Sequence, residues 1–348
     1  MEENENFKIR HDRINKNLLY QIFKININKD QELFYQGGKN MFRKKTKQNY
    51  KTYVISDIHS HFDVFKRFLD DINPEDKVYF LGDAVDKGPD GIKVLKFIKD
   101  NPNIQMVMGN HELMMLNYLT AENDFYDEMN NDTLDYMTKY MLEHNSKIWL
   151  DNNYGWSTLE DFKKLSNDEQ KEILKFLYDL PLVLRIDVNG KNFILVHSVP
   201  YKVPEYTPGA ILYNENPLVA EAFVWEREPN TSVDDSIVIT GHTITYHYNK
   251  RDGEHFRIYK SDYEDEETGE DIPFWYDIDC GLAANMDESC LCALCLDDLS
   301  VKYYSLNNNE RIDLLKKDDS FKDEYLDKIY DDYENYLSVA SIKNEETA

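Results

Sequence analysis

The chain has 348 residues, is 41% hydrophobic and carries a formal net charge of −26. That size and apolar content suit a globular protein of one large domain or two small ones. Its acidity argues against a nucleic-acid binder, whose affinity rests on lysines and arginines meeting phosphates.

The first 50 residues stand apart, being locally basic and ending in FRKKTKQNYK; they are expected to form a peripheral arm. Met1–Arg13 lacks the apolar stretch of a signal peptide, and no run approaches the roughly 18 uninterrupted apolar residues of a membrane helix. A cytoplasmic protein with no membrane partner is expected. From Tyr53 the pattern sharpens. TYVIS is an apolar run, followed by a loop and by FDVFKRFLDDI with helical spacing of Phe62, Phe65, Leu69 and Ile72. KVYFLG then precedes a loop and GIKVLKFIKD, and IQMVMG precedes HELMMLNYL. Strand, loop and helix three times over predict βαβ units with parallel strands. In such sheets ligands bind beyond the carboxyl ends of the strands.

Residues 113–180 read as a helical insert or cap. LVLRIDV and NFILVH, joined by Asn189-Gly190, read as a hairpin. DSIVITGH is a further strand with a polar tip. RDGEHFRIYK, FWYDID, LCALCLDD and VKYYSL are expected as antiparallel strands, with SDYEDEETGED as a charged hairpin tip or loop. The four cysteines, Cys280, Cys290, Cys292 and Cys295, make no disulfide framework in a chain of this length. Their spacing is not that of paired zinc C-x-x-C motifs, so CLCALCL reads as an apolar strand with buried thiols. Residues 313–348 form an acidic tail with partial helical periodicity.

The polar residues at the strand ends carry the chemistry. Asp57 and His59 follow the first strand, Asp83 and Asp86 the second, and Asn110, His111 and Glu112 the third. His197 follows NFILV and His242 follows SIVITG. A lone histidine after a strand is usually a satisfied structural group. Five strands each ending in a carboxylate, imidazole or amide need charge partners if buried, and a pair of divalent cations supplies one for all. The set is oxygen and nitrogen without thiolate, which suits manganese, with iron or zinc as alternatives.

The ordered motifs DIH (57–59), GDAVD-K-G (82–88), GNHE (109–112), VH (196–197) and GH (241–242) resemble those of the calcineurin-like metallophosphoesterases, and within them the phosphoprotein phosphatase group. YGWSTLEDF, DLPLVLRI, FVWERE, GHT and YDIDCG are similar to bacterial and bacteriophage, lambda-type, serine/threonine protein phosphatases. The resemblance runs from about Tyr53 to Leu299. It implies an α/β fold: a four-layer sandwich of two mixed β-sheets with a helical insert, the catalytic domain spanning 51–312. By the same resemblance Asp57, His59 and His242 hold one metal ion, Asp83 bridges, and Asn110 and His197 hold the second. His111 is the general acid, oriented by Asp86, and Lys87 and Arg227 contact the phosphate. The implied reaction is in-line attack by a metal-bridging hydroxide on a phosphate monoester, with phosphoserine or phosphothreonine in proteins as the leading substrate. The alternatives are a symmetrical dinucleoside polyphosphate or another nucleotide, and a non-catalytic binding module.

Three positions depart from that pattern. Lys87 stands where an arginine is usual, a point charge in place of a bidentate fork. Met108 stands where lambda-type relatives carry another arginine. Ser60-His61 replaces glycine and a variable residue. Ser60 is expected to avoid positive φ, and His61 to lie on the surface.

Overall fold

A computed structural model of the chain describes residues 50–122, 148–150, 152–199, 210–214, 220–227, 235–249, 256–264, 269, 271–284, 286 and 288–306. All belong to the compact unit Tyr50–Ala348. The basic arm up to residue 49 and the acidic tail lie outside the described residues.

Three short apolar runs become parallel strands: β1 (Thr52–Ile55), β2 (Lys77–Phe80) and β3 (Ile104–Met106). Each is followed by a helix: α1 (Phe62–Asp70), α2 (Gly91–Asp100) and α3 (Asn110–Glu122). Side chains alternate across these strands, as extended backbone requires. Val54 and Tyr79 enter the core on one face. On the other, Tyr53 meets Phe68 and Phe80 meets Phe65, with ring centroids 5.8 and 6.1 Å apart. The α1 side chains Phe65 and Phe68 thus cover the outer face.

Downstream, the second sheet is built from β4 (Pro181–Val188), β5 (Lys191–Val196), β6 (Ala210–Leu212), β7 (Ile237–Thr240), β8 (Tyr259–Glu264) and β9 (Asp271–Asp277). Its strand order is β6-β4-β5-β7-β9-β8. The chain then returns to the first sheet as β10 (Cys290–Cys295) and β11 (Val301–Ser305), completing the order β11-β10-β1-β2-β3. Both sheets are mixed: β10 pairs antiparallel with β1, while β5, β7 and β9 run parallel to one another. Phe193, Leu195 and Ile239 meet Val54, Tyr79, Cys292 and Leu294 in one buried cluster between the sheets. The expected α/β architecture of two mixed sheets with helices is therefore present.

The β4–β5 turn is the two-residue Asn189-Gly190, at φ 54° and 85°, the type I′ geometry that matches strand twist. Of the expected antiparallel strands, β9 pairs antiparallel with β8 but parallel with β7. Ser261–Glu264, expected in the charged tip, belongs to β8. As an edge strand, β8 tolerates the charges that hid its pattern. All six residues of β10 are buried and its cysteines are free.

Within the expected insert lie α4 (Trp156–Lys163) and α5 (Asn167–Tyr178), the latter opened by a capping box between Ser166 and Glu169. They pack on α2, and α5 also packs on α3; residues 123–147 lie outside the described set. The short α6 (Ala220–Val224) packs on β4. Among the described residues, no helix is long and apolar enough to cross a membrane.

Leu195 is fully buried between the sheets. Leu195→Ala should lower unfolding free energy by about 2–5 kcal/mol through lost contacts and the cavity left behind, read as a shift in the urea midpoint.

Candidate metal centre

The strand-end loops of both sheets converge because their backbones are stitched together. Asp57 N donates to Gly82 O (3.1 Å), His59 N to Asp83 O (3.0 Å) and Ser60 N to Ala84 O (2.9 Å), joining the β1–α1 and β2–α2 loops. From the second sheet, Gly241 N donates to His197 O (2.9 Å) and His242 N to Asp57 Oδ2 (3.0 Å). Asp57 Oδ2 also accepts from Ser56 Oγ.

These loops are strained. Among the described residues ten non-glycine residues have positive φ, and seven of them are Asp57, His59, Ser60, Asp83, Asp86, Lys87 and His242. Such conformations cost energy and persist where the surroundings over-determine them, commonly at functional sites. Ser60, expected to avoid this region, has φ 66°; its hydroxyl donates to Asp86 O (3.1 Å), and its N–H is held by Ala84. Gly82 (φ 93°) is needed for a second reason: a Cβ there would come 2.6 Å from Gly109 Cα.

Glu112 locks the Asp83 loop. Its carboxylate accepts from Asp83 N (2.8 Å), Ala84 N (2.8 Å) and Gly109 N (3.1 Å). The Asp83 side chain is thereby aimed at two groups that could each hold a cation, His59–Asp83–His111 and Asp83–His197–His242. Asp83 Oδ2 lies 3.5 Å from His59 Nε2 and 3.8 Å from His111 Nε2, while Oδ1 lies 3.4 Å from His197 Nε2.

The donor chemistry fits a metal. His59 Nδ1 faces Val85 O (3.0 Å) and His197 Nδ1 faces Leu81 O (2.6 Å). A carbonyl only accepts, so both Nδ1 atoms carry hydrogen and both Nε2 atoms present lone pairs. His197 Nε2 is then 2.9 Å from Asn110 Oδ1. A ring nitrogen without hydrogen and an amide oxygen, both lone-pair donors, suit that closeness as joint ligands of one cation. His242 Nδ1 lies 3.1 Å from the same oxygen. The sequence reading set His242 with Asp57 and His59. The structure instead places its ring with Asn110 and His197, because the β7 tip folds over the end of β5; only its backbone N–H reaches Asp57.

Burial pushes every one of these groups toward its neutral form. The carboxyls of Asp57, Asp83 and Glu112 rise, chiefly through desolvation, with neighbouring carboxylates adding to it. His59, His111 and His242 are held well below the usual imidazole range, and His197 below it, again chiefly by burial. Neutral imidazoles are the ligand form, and a divalent cation offsets the cost of the buried carboxylates.

The two remaining aspartate-loop residues behave differently. Asp86 is fully buried; its carboxylate meets His111 Nδ1 (2.7 Å) and accepts from Trp149 Nε1 (2.7 Å) and Thr158 Oγ1 (2.6 Å). Burial raises it to about 8 against those hydrogen bonds. Lys87 turns inward, its Nζ 3.1 Å from His59 Nε2. Arg227, from the loop after α6, is exposed and places Nη1 3.4 Å from His242 O and 3.3 Å from Thr243 Oγ1.

Met108 is fully buried, so its side chain belongs to the core. His61, expected on the surface, is buried with Nδ1 2.8 Å from Ile58 O, because the turn into α1 folds it inward. Sequence reasoning missed Trp149 and Thr158 as the holders of Asp86, Ser56 on Asp57, and the buried Asp277 and Asp279. Burial pushes these last two well above the carboxylate range, and Asp57 raises Asp279 further. Thr158 and Asp279 lay within the quoted stretches YGWSTLEDF and YDIDCG; nothing in their spacing marked a partner.

The sequence model of the calcineurin-like phosphoesterase family matches residues 50–246. An uncharacterized protein of Methanocaldococcus jannaschii is 29% identical over 171 residues, 47% of this chain and 58% of that protein. The symmetrical bis(5′-nucleosyl)-tetraphosphatase of Erwinia tasmaniensis is 41% identical over 69 residues, 19% of this chain and 25% of that enzyme. The chain thus spans little more than half of the first relative's length and a quarter of the second's. A metallophosphoesterase structure from Sphaerobacter thermophilus aligns with TM-score 0.44 at 16% identity, covering 77% of this chain and 94% of that one.

Protein treated with a chelator should lose stability as pH rises from about 6.5 toward 8. In that window the histidines, held below their ordinary range, are neutral both folded and unfolded, whereas the raised carboxyls keep protons when folded that the unfolded chain has released, a preference lost up to the Asp86 value of about 8. Adding manganese should raise the melting temperature, most at pH 8. Thermal melts across pH with and without metal check both signs.

Proposed function

The chain belongs to the calcineurin-like phosphoesterases, and from that membership we propose that it hydrolyses phosphate monoesters on two divalent cations, with phosphoserine and phosphothreonine in proteins as its substrates. The observation that supports this most is Asp83 set between His59 and His111 on one side and His197 and His242 on the other, with His111 bonded through Nδ1 to Asp86 and so assigned to proton transfer rather than to an ion. Asp57, His59, Asp83, Asn110, His197 and His242 would hold the ions, with manganese the leading candidate and iron or zinc as alternatives. Bound there, the cations would acidify a water molecule and offset phosphoryl charge.

The chain's own groups do the rest. His111 and Asp86 share a hydrogen bond at Nδ1. With Asp86 raised to about 8, the pair keeps an extra proton at neutral pH. Whichever atom of the shared bond carries it, Nε2 then presents N–H to the leaving oxygen, the task of a general acid. Trp149 and Thr158 fix the Asp86 carboxylate, and through it the ring. Arg227 and Lys87 meet phosphate oxygens, Lys87 as a point charge that grips less rigidly than an arginine fork. YGWSTLEDF, FVWERE and YDIDCG favour a place among the lambda-type serine/threonine phosphatases.

A second reading, hydrolysis of dinucleoside polyphosphates, draws support from the 41% identity to a symmetrical bis(5′-nucleosyl)-tetraphosphatase. Turnover of a phosphoserine peptide and of diadenosine tetraphosphate by manganese-loaded protein separates the two. Faster release from the peptide is expected, and release from neither nor from an aryl phosphate would sink both. His111→Asn should lower kcat by about 10²–10⁴-fold with metal content unchanged by elemental analysis. An undiminished rate would remove His111 as the acid, and an unchanged cellular role without turnover would favour a binding module.

A further inference from the structure

The first turn of α4 carries a residue that its helix does not explain. Thr158, Leu159 and Phe162 face the core, while Trp156, Glu160 and Lys163 are exposed. Trp156 therefore occupies the polar stripe of an amphipathic helix, where burial asks for no aromatic side chain. It is 56% exposed, the most open of the three large hydrophobic residues so described, the others being Tyr263 and Tyr303. Those two lie on the edge strands β8 and β11, and Tyr303 sits under Arg257. Trp156 instead precedes two residues, Ser157 and Thr158, that bond to the Asp86–Gly88 loop.

Its mounting is rigid. Gly155 allows α4 to start against the ring of Trp149, since a Cβ there would come 2.5 Å from Trp149 Cε2. Trp149 in turn donates to Asp86. Ser157 Oγ donates to Gly88 O (3.1 Å), and Thr158 Oγ1 accepts from Asp86 N (3.0 Å) while donating to its carboxylate. Ser157 and Thr158, which follow Trp156, are thus anchored to the Asp86–Gly88 loop that carries Lys87, and Gly155 before it is held by Trp149. A tryptophan ring has only two side-chain torsions, so on backbone anchored in this way it loses little freedom when something stacks on it.

We propose that Trp156 is a stacking platform for a planar ring borne by the substrate close to its phosphate, and so sets the enzyme's preference among phosphate esters. The inference rests on the phosphoester reading above and deepens it. Such a ring comes either from a nucleobase or from an aromatic side chain flanking a phosphoserine; the shared chemistry is a π-face within reach of the Lys87 loop.

The test compares wild type, Trp156→Ala and Trp156→Phe on four substrates. These are diadenosine tetraphosphate, a phosphoserine peptide with a flanking phenylalanine, the same peptide with alanine there, and glycerol phosphate. Stacking contributes about 1–3 kcal/mol per base. In Trp156→Ala, KM for a ring-bearing substrate should therefore rise about 5- to 150-fold relative to glycerol phosphate, with kcat little changed, and Trp156→Phe should keep most of the wild-type value. A selective rise with the nucleotide assigns the ring to a base, and one with the phenylalanine peptide over its alanine partner assigns it to a side chain. Equal changes for ring-bearing and ringless substrates, or none, overturn the proposal. If wild type releases phosphate from none of them, the phosphoester reading fails instead. The platform is then read directly by tryptophan fluorescence: quenching by adenosine monophosphate that Trp156→Phe abolishes supports it, and quenching absent or unchanged overturns it.

Discussion

Everything in the centre is arranged around one buried carboxylate, Asp83. Its two oxygens face different histidine sets, one from the first sheet and one from the second. A charge in that position is costly to bury, so the surrounding structure must hold it in place and leave room for cations. Glu112 does the holding, accepting three backbone N–H groups of the Gly109 and Asp83 loops with a carboxylate that is itself fully buried. A network of this kind is stabilising only when every member is satisfied.

Backbone strain follows from the same constraint. Parallel strands deliver their loops side by side, but ordinary turns would point the side chains along the sheet. Left-handed φ values at Asp57, His59, Asp83, Asp86 and His242 turn them inward. Inter-loop hydrogen bonds and the close Gly82–Gly109 approach keep them there. Packing of Leu195 and Ile239 against Val54 and Tyr79 brings the second sheet's histidines to the same place.

Much of this was legible beforehand because its signals are local. Apolar runs followed by helical periodicity located β1–α1, β2–α2 and β3–α3, and Asn189-Gly190 announced its turn. The polar residues at strand ends nominated the cluster, since a parallel sheet gathers its C-terminal loops. Edge strand β8 was harder, because charges at Asp262 and Glu264 obscure its alternation. His61 was misread because an imidazole after a strand carries no mark of which way the turn folds.

The sequence by itself determined which residue types stand at the strand ends, and hence the donor chemistry and the family. The tertiary structure decided which donors stand together. His242 joins Asn110 and His197 because β7 lies beside β5, a pairing no sequence separation encodes. It also decided that Asp86 is held by Trp149 and Thr158, 63 and 72 residues away, since a hydrogen bond depends on distance in space and its partners were brought together only by packing of the helical insert.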